Sequence, residues 1–179
     1  MIDTTARWAG APPPALRRPR RVIVAMVMIL GFLLAGGSLA QASPPAAASA
    51  TMTVTAITGF AATPAGANTF VHQTTEGVFT GALIGTFEDE LKGVVHPNGR
   101  VTAQGTITCA CAVEGRSGTL TFVQVSSGDF ASQTLEGMAV ITRGTGDLAN
   151  LHGTFDIEGT VDSNGLATIT FTGRMHFDG

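Results

Sequence analysis

The fourteen residues from Arg100 to Val113 alternate between two kinds of side chain. Every second position, starting at Val101, is apolar or glycine, and the positions between them are polar as far as Thr108. A period of two places the two sets on opposite faces of a β-strand, one for a core and one for solvent. The pattern predicts a half-buried strand, so the fold must supply a sheet around it.

Turn signals divide the rest of the chain into further strands. Asn98-Gly99 and Asn164-Gly165 are hairpin signals, because a type I′ turn needs positive φ at both central residues. Threonine and glycine are abundant after residue 42 and long helix-forming tracts are absent, so we expect no helix longer than one turn. The predicted strands are 52–60, 70–72, 78–91, 100–113, 119–126, 131–143, 154–161 and 166–177.

Sequential antiparallel strands in this number must either close or protect their edges. The sequence therefore predicts an all-β domain, an eight-stranded antiparallel β-barrel, in preference to a sandwich. A barrel of this size holds its own side chains or one small ligand. The predicted domain spans residues 51–179, and a flexible linker rich in proline, alanine and serine, residues 43–50, precedes it.

Residues 1–42 have the parts of a secretory signal peptide. A basic stretch ends at Arg21, an apolar run follows from Val22 to Leu34, and Ala40-Gln41-Ala42 fits the small-x-small cleavage pattern. We therefore predict a signal-peptide helix cleaved after Ala42, and a secreted or cell-envelope protein with no membrane contact afterwards. An uncleaved N-terminal anchor is the alternative. Export by the general secretory route or the twin-arginine route stays open.

The part after Ala42 is acidic, with five Lys and Arg against twelve Asp and Glu, a net charge of −7. Such a charge repels phosphate backbones, so we predict no nucleic-acid partner. The aromatic residues of this part are nine phenylalanines, without Trp or Tyr. The usual stacking platforms for sugars and bases are therefore missing.

Cys109 and Cys111 are the two cysteines of the chain, and both fall on the apolar face of strand 100–113. An oxidising environment outside the cell favours a disulfide between them. On a regular strand, residues two apart project in parallel and lie too far apart, so a bond requires a bulge or the start of a turn. A local disulfide, two buried thiols, and a metal or redox role all remain open.

The histidines show no metal-ligand spacing, and we predict no metal site and no cofactor. The glycine run 144–149 matches a bare dinucleotide fingerprint, but the long helix that such a site needs is missing. We expect a crossover with a single helical turn there instead.

The interior of the predicted barrel supplies the candidate site residues. Alternation places five candidate ligand-binding residues inside: Phe79, Leu83, Phe87, Ile107 and Phe122. Asp89 shares the face of the phenylalanines, and Glu136 lies on strand 131–143. Burial would raise the pKa of either carboxyl group, so both are candidates for a catalytic acid or base.

Two glycine-rich segments resemble a known family. They read Gly-Arg-Ser-Gly-Thr-Leu-Thr-Phe at 115–122 and Gly-Thr-Gly-Asp-Leu-Ala-Asn-Leu-His-Gly at 144–153. Together they resemble an uncharacterised, mostly actinobacterial family with an allene-oxide-cyclase-like barrel, and the second also resembles a segment of plant dirigent proteins. The resemblance implies an eight-stranded barrel with a central hydrophobic cavity, often in homo-oligomers. It implies no activity and carries over no catalytic residue.

Three functions are open at this point. The first is an exported barrel that binds a small hydrophobic molecule in its interior. The second is an isomerase, cyclase or dirigent-like guide acting on a small apolar substrate, with Asp89 or Glu136 as acid or base. The third is a filled barrel with a structural or adhesive role in the cell envelope. They differ in whether the interior is filled or holds a cavity, and in whether such a cavity contains an ionisable group with a shifted pKa.

Overall fold

The computed structural model of the protein describes residues 44–179, so the predicted signal peptide lies outside the described residues. Eight β-strands joined by short turns make up most of the described part. The strands are β1 (Ala46–Ala65), β2 (Asn68–Gly81), β3 (Ile84–Val95), β4 (Arg100–Val113), β5 (Arg116–Asp129), β6 (Thr134–Gly144), β7 (Leu151–Val161) and β8 (Ala167–Phe177). One 3₁₀ turn, Gly146–Leu148, lies between β6 and β7.

Each strand pairs antiparallel with its neighbours in sequence, and β1 also pairs with β8, which closes the sheet into a ring. The prediction of an all-β domain of eight antiparallel strands is confirmed. The closing pair runs from Ala46 to Thr53 on β1 and places Ala50 opposite Phe171. Closure pairs strand edges that would otherwise be exposed to other chains.

The two ends of the ring carry different turns. Turns 66–67, 96–99, 130–133 and 162–166 lie at one end, called the open end below. Turns 82–83, 114–115 and 145–150 lie at the other, called the packed end.

β1 begins earlier than the sequence predicted. Residues 46–50 belong to β1 and pair with β8, so the prediction of a flexible linker over residues 43–50 is wrong for them. Ala48 and Ala50 face the interior and are buried. A run of alanines suggested a spacer by composition, but alanine is also small enough to pack inside a ring beside bulky side chains.

The predicted strand 78–91 is two strands. β2 ends at Gly81, β3 begins at Ile84, and a tight turn joins them. Gly81 has a φ of 97°, which favours glycine. Leu83 in this turn is fully buried, so the apolar pattern that suggested one continuous strand reflects burial at the packed end.

Both Asn-Gly pairs form hairpins, but the predicted turn type is wrong. Gly99 and Gly165 each have a φ of 83°, whereas Asn98 and Asn164 do not have positive φ. The N–H of Gly99 donates to the carbonyl of His96, and that of Gly165 to the carbonyl of Asp162, each over 3.0 Å. These are four-residue turns ending on a left-handed glycine, and only that glycine needs positive φ.

The crossover 144–153 covers the packed end with the expected single helical turn. Leu148 is fully buried, and Gly118 and Gly144 lie against the backbone of this turn, where a side chain would have no room. The N–H of Thr119 donates to Oγ1 of Thr145 over 3.1 Å. Close backbone packing thus explains one glycine of each segment, Gly118 and Gly144. None of the helical structure in residues 44–179 has the length and apolarity needed to cross a membrane.

Candidate functional site

Phenylalanine fills the interior of the ring toward the packed end. Phe79, Phe122, Phe155 and Phe171 are almost fully buried, and Phe87 is buried beside Phe79. The centroids of their paired rings lie 5.3 to 6.2 Å apart, the range of favourable aromatic contacts. Apolar side chains therefore occupy this half of the interior.

All five residues predicted to line a ligand site are buried in the interior: Phe79, Leu83, Phe87, Ile107 and Phe122. They belong to one hydrophobic cluster, in which phenylalanine rings contact each other. The alternation of the strands thus places their side chains inside, as expected. Their role in ligand binding stays a prediction.

Asp89 is the buried carboxyl group of the interior. It lies on β3, two residues from Phe87 toward the open end, and is 7% exposed. Nε2 of Gln124, on β5, donates to Oδ2 of Asp89 over 3.0 Å. Among residues 44–179 no other carboxyl or basic side chain is buried.

Gly105 provides the space in which Asp89 and Gln124 meet. It lies on β4, between β3 and β5, directly opposite Gln124. A Cβ atom on Gly105 would lie 3.0 Å from Oδ1 of Asp89 and 3.0 Å from Nε2 of Gln124. Glycine therefore lets the carboxyl and the amide meet across β4 without crowding.

Burial raises the pKa of Asp89 to about 7, because the charged form loses its hydration inside the ring. The hydrogen bond from Gln124 acts in the opposite direction, and the neighbouring charge of Glu90 raises the pKa further. Both protonation states are then populated near neutral pH, which is the condition for general acid–base chemistry.

Two buried polar atoms at this place have no hydrogen-bond partner among the described residues, Oδ1 of Asp89 and Oγ1 of Thr75. Thr75 lies on β2 directly opposite Asp89 and is 6% exposed. An unsatisfied buried polar group costs about 1–3 kcal/mol. A molecule that offers hydrogen bonds to both atoms would recover part of that cost.

Thr75 and Gln124 were missed by the sequence analysis. Gln124 is two residues from Phe122 on β5 and shares its inward face, so the alternation of that strand contained the signal. Thr75 fell between the predicted strands 70–72 and 78–91, where no face could be assigned.

Toward the open end, the inward-facing residues are partly exposed, and many of them are glycine. Beyond Asp89 and Gln124 the next inward residues are Leu91 and Ser126, and both are partly exposed. Glycine occupies five positions on the inward-facing alternation of this half, all partly exposed: Gly93, Gly105, Gly128, Gly137 and Gly159. Thr75, Asp89 and Gln124 thus lie at the boundary between the packed half and a half whose inward-facing residues are partly exposed, called the open half below. We call these three residues the polar floor.

The prediction that Glu136 points into a cavity is wrong. Glu136 is exposed on the outer face of β6, opposite Ser127 on β5 and Glu158 on β7. The inward positions on either side of it are Leu135 and Gly137, so alternation places its carboxyl group outside. Asp89 is the one catalytic candidate that the structure brings into the interior.

The model of a known protein family matches most residues of the ring. The family model described as "Protein of unknown function (DUF3224)" matches residues 46–172, from the start of β1 into β8. The chain belongs to the DUF3224 family.

A solved DUF3224 structure has a similar fold. It is the crystal structure of a protein of unknown function from Shewanella oneidensis MR-1, and it superposes with a TM-score of 0.56 at 15% sequence identity. The match covers 76% of this chain and 99% of that chain. At this identity the likeness shows the fold alone. No curated protein matches the chain.

The DUF3224 domain pairs Cys109 with Cys111 as a disulfide in the packed half. Their Cα atoms are 5.3 Å apart, against about 6.6–6.8 Å for two residues of a regular strand. β4 keeps its register with β3 and β5 through both residues, so the expectation that a bond needs a bulge or a turn is wrong. Local shortening of the strand brings the two residues together instead.

The histidines of the domain lie on its outer surface or in turns. His152 and His176 pair across β7 and β8, and their Nε2 atoms lie 3.0 and 3.4 Å from the carboxylate of Asp178. His72 contacts Glu90 over 3.0 Å. Within residues 44–179, no group of three or more His, Cys, Asp or Glu side chains is placed to hold a metal ion.

Proposed function

We propose that this protein binds a small, mostly apolar molecule in the open half of the barrel, with one polar group of the ligand on the polar floor. The observation that carries the proposal is the pair of buried, unpartnered oxygens, Oδ1 of Asp89 and Oγ1 of Thr75. Buried polar atoms in folded proteins are nearly always hydrogen-bonded, and exceptions concentrate at functional sites. We also propose that the domain acts outside the cytoplasm, after cleavage near Ala42.

The boundary between the two halves sets where such a ligand would sit. Phe87 precedes Asp89 by two residues on β3, and Ile107 lies opposite Asp89 on β4, so these two residues pack beside the floor. Phe79 and Phe122 stack on each other, and Phe79 contacts Phe171 edge to face, within the packed half. A ligand therefore rests on the polar floor and contacts the partly exposed side chains of Leu91 and Ala103.

Native mass spectrometry of the protein purified gently from its own host tests this proposal. We expect an added mass that leaves on denaturation, and we expect the doubly substituted protein Asp89→Asn/Thr75→Val to lack it. Glu88→Gln is the matched control, because Glu88 neighbours Asp89 but is exposed on the outer face. A clean unliganded mass for the wild type, or an added mass that the double substitution leaves intact, contradicts the proposal.

A second function, general acid–base catalysis on the bound molecule, is favoured by the pKa of Asp89, which burial raises to about 7. The resemblance of segment 144–153 to dirigent proteins and to barrels of the allene oxide cyclase type fits a role in isomerising or guiding a substrate. Asp89→Asn that binds the molecule but does not convert it would support this function. Unchanged conversion would remove Asp89 from the chemistry.

A third function, a structural or adhesive role, is favoured by the filled half of the barrel. The phenylalanine cluster leaves the packed end without an evident binding function of its own. An unliganded mass in the experiment above would favour this role.

A further inference from the structure

We infer that the ligand of the open half is a small organic amine, whose ammonium group contacts the carboxylate of Asp89 and the hydroxyl of Thr75. This inference rests on the proposed function and names the chemical class that the site selects. It starts from the hydrogen-bonding atoms that the polar floor offers.

The two free atoms of the floor are acceptors when Asp89 is ionised. Oδ1 of Asp89 accepts only, and Oγ1 of Thr75 can accept as well as donate. An ammonium group carries three donors and no acceptor, so it can satisfy both atoms at once. A carboxylate ligand has only acceptors and cannot bond an ionised Oδ1. A single hydroxyl could donate to Oδ1 and accept from Oγ1 of Thr75, but it is neutral and would leave the charge of Asp89 unbalanced.

The charge of the floor selects for a cation. No basic side chain among residues 44–179 pairs with Asp89, since the ion pairs of this part of the chain lie on exposed residues such as Lys92 with Glu90. The one protein donor to Asp89 is the neutral amide of Gln124. A buried carboxylate without a counter-charge is costly, and a ligand ammonium would supply both the charge and the hydrogen bonds.

The charges around the polar floor also favour a cationic ligand. Glu76 and Glu88 lie opposite each other on the outer face of β2 and β3, beside Asp89, whereas the neighbouring Glu90 is paired with Lys92. The part of the chain after Ala42 carries a net charge of −7. Such a field raises the local concentration of cations and lowers that of anions.

On β2 to β4, apolar inward side chains above the floor suit a short alkyl group, beside the polar inward positions Gln73 and Ser126. Val71, Leu91 and Ala103 face the interior of the open half and are partly exposed. A Cβ atom on Gly93 would lie 3.1 Å from Cβ of Ala103 and 3.4 Å from Cγ2 of Val71, so these residues pack as one apolar wall. The ligand class is therefore an amine with an apolar tail, not a hydrophilic polycation.

Three probes of equal chain length and different head groups test the inference: n-hexylamine, n-hexanol and hexanoate. Each is titrated into the purified protein by isothermal calorimetry at about pH 8. At this pH, Asp89 is mostly ionised and the amine is protonated. We expect n-hexylamine to bind at least about tenfold more tightly than n-hexanol, and hexanoate to bind most weakly, as charge-assisted hydrogen bonds require. Asp89→Asn should remove the preference for the amine, and Thr75→Val should reduce it. Glu88→Gln should leave affinity within about twofold, as expected for an exposed charge.

The outcomes separate this inference from the proposed function. Binding of n-hexanol as tight as that of n-hexylamine overturns the amine class and leaves a binding site on the polar floor. Absence of n-hexylamine binding also overturns the inference, and a clean unliganded mass in the native spectrum would overturn the proposed function with it. An amine preference that survives both Asp89→Asn and Thr75→Val would place the cation elsewhere and contradict the inference.

Discussion

The amide of Gln124 reaches the carboxyl of Asp89 over 3.0 Å, although a complete strand, β4, separates the two strands that carry them. The contact forms inside the ring, above a glycine of that strand, Gly105. It orients one oxygen of Asp89 and leaves the other without a partner. Packing of the apolar core does not explain why a carboxyl group is buried here with a hydrogen bond to only one of its two oxygens.

Asp89 should make the protein less stable as pH rises. The unfolded carboxyl loses its proton near pH 3.8, whereas the folded one keeps it until about pH 7. The stabilising contribution of Asp89 is therefore complete below pH 3.8 and is lost as pH rises to about 7, a change of about 4 kcal/mol. Urea denaturation should show that Asp89→Asn raises the free energy of unfolding by roughly 2–4 kcal/mol at about pH 8 and much less at about pH 5.

Glu88→Gln controls for the loss of one negative charge from the same strand. Because Glu88 is exposed, this substitution should change stability by less than about 0.5 kcal/mol at either pH. If Asp89→Asn were less stable than the wild type at about pH 8, the ionised carboxylate would have a favourable partner that the account does not include.

Gly105→Ala should destabilise the protein by about 1–3 kcal/mol, because the added methyl group would lie 2.9 Å from the backbone oxygen of Glu90 and 3.0 Å from both Oδ1 of Asp89 and Nε2 of Gln124. Removing the carboxyl should relieve part of this strain. The cost of Gly105→Ala should therefore be smaller in an Asp89→Ala background, measured as a double-mutant cycle by chemical denaturation. An equal cost in both backgrounds would mean that the strain comes from the neighbouring backbone and not from the polar floor.

Phe122→Ala should cost about 3–5 kcal/mol of stability, because the ring of Phe122 contacts three other buried phenylalanines and its loss leaves a cavity. Phe60→Ala is the matched control. Phe60 is 65% exposed, so its loss should change stability by less than about 0.5 kcal/mol. If Phe122→Ala lowered the free energy of unfolding by less than about 1 kcal/mol, the side chains of the packed half would not be closely packed around Phe122.

Cys109 and Cys111 should be joined in the protein isolated without reductant. Its intact mass should be about 2 Da below that of the reduced chain, and denaturation in iodoacetamide should label neither cysteine. Replacing both with alanine should lower the free energy of unfolding by about 1–2 kcal/mol, because the bond closes a very short loop. Two alkylated thiols in the unreduced sample would contradict the pairing.

Local rules predicted much of this fold. The alternation of β4 set its inward and outward faces correctly, and glycine-containing turns marked most of the hairpins. The boundaries that failed have physical causes. Residues 46–50 are small and look like a spacer, yet they are held by pairing with β8, a partner more than a hundred residues away in sequence. The local sequence around residues 46–50 contains no signal for that pairing.

The candidate site was predictable only in part. Asp89 was identified because a carboxyl interrupts an apolar face, and the structure buries it. Glu136 was placed wrongly because both faces of β6 carry apolar residues: Ala139 and Ile141 face inward, whereas Met138 and Val140 are exposed on the outer face with Glu136. The contact of Asp89 with Gln124 depends on the neighbouring strands and on the space at Gly105, which only the closed ring reveals.

The most direct test of the buried acid is a carboxyl carbon NMR titration of Asp89, assigned by comparison with Asp89→Asn. The account predicts a midpoint near pH 7, because the carboxyl is buried without a cationic partner among the described residues. A midpoint for Asp89 at or below its ordinary value of 3.8 would mean that the carboxylate is hydrated or paired, and would contradict the polar floor as the site of this protein.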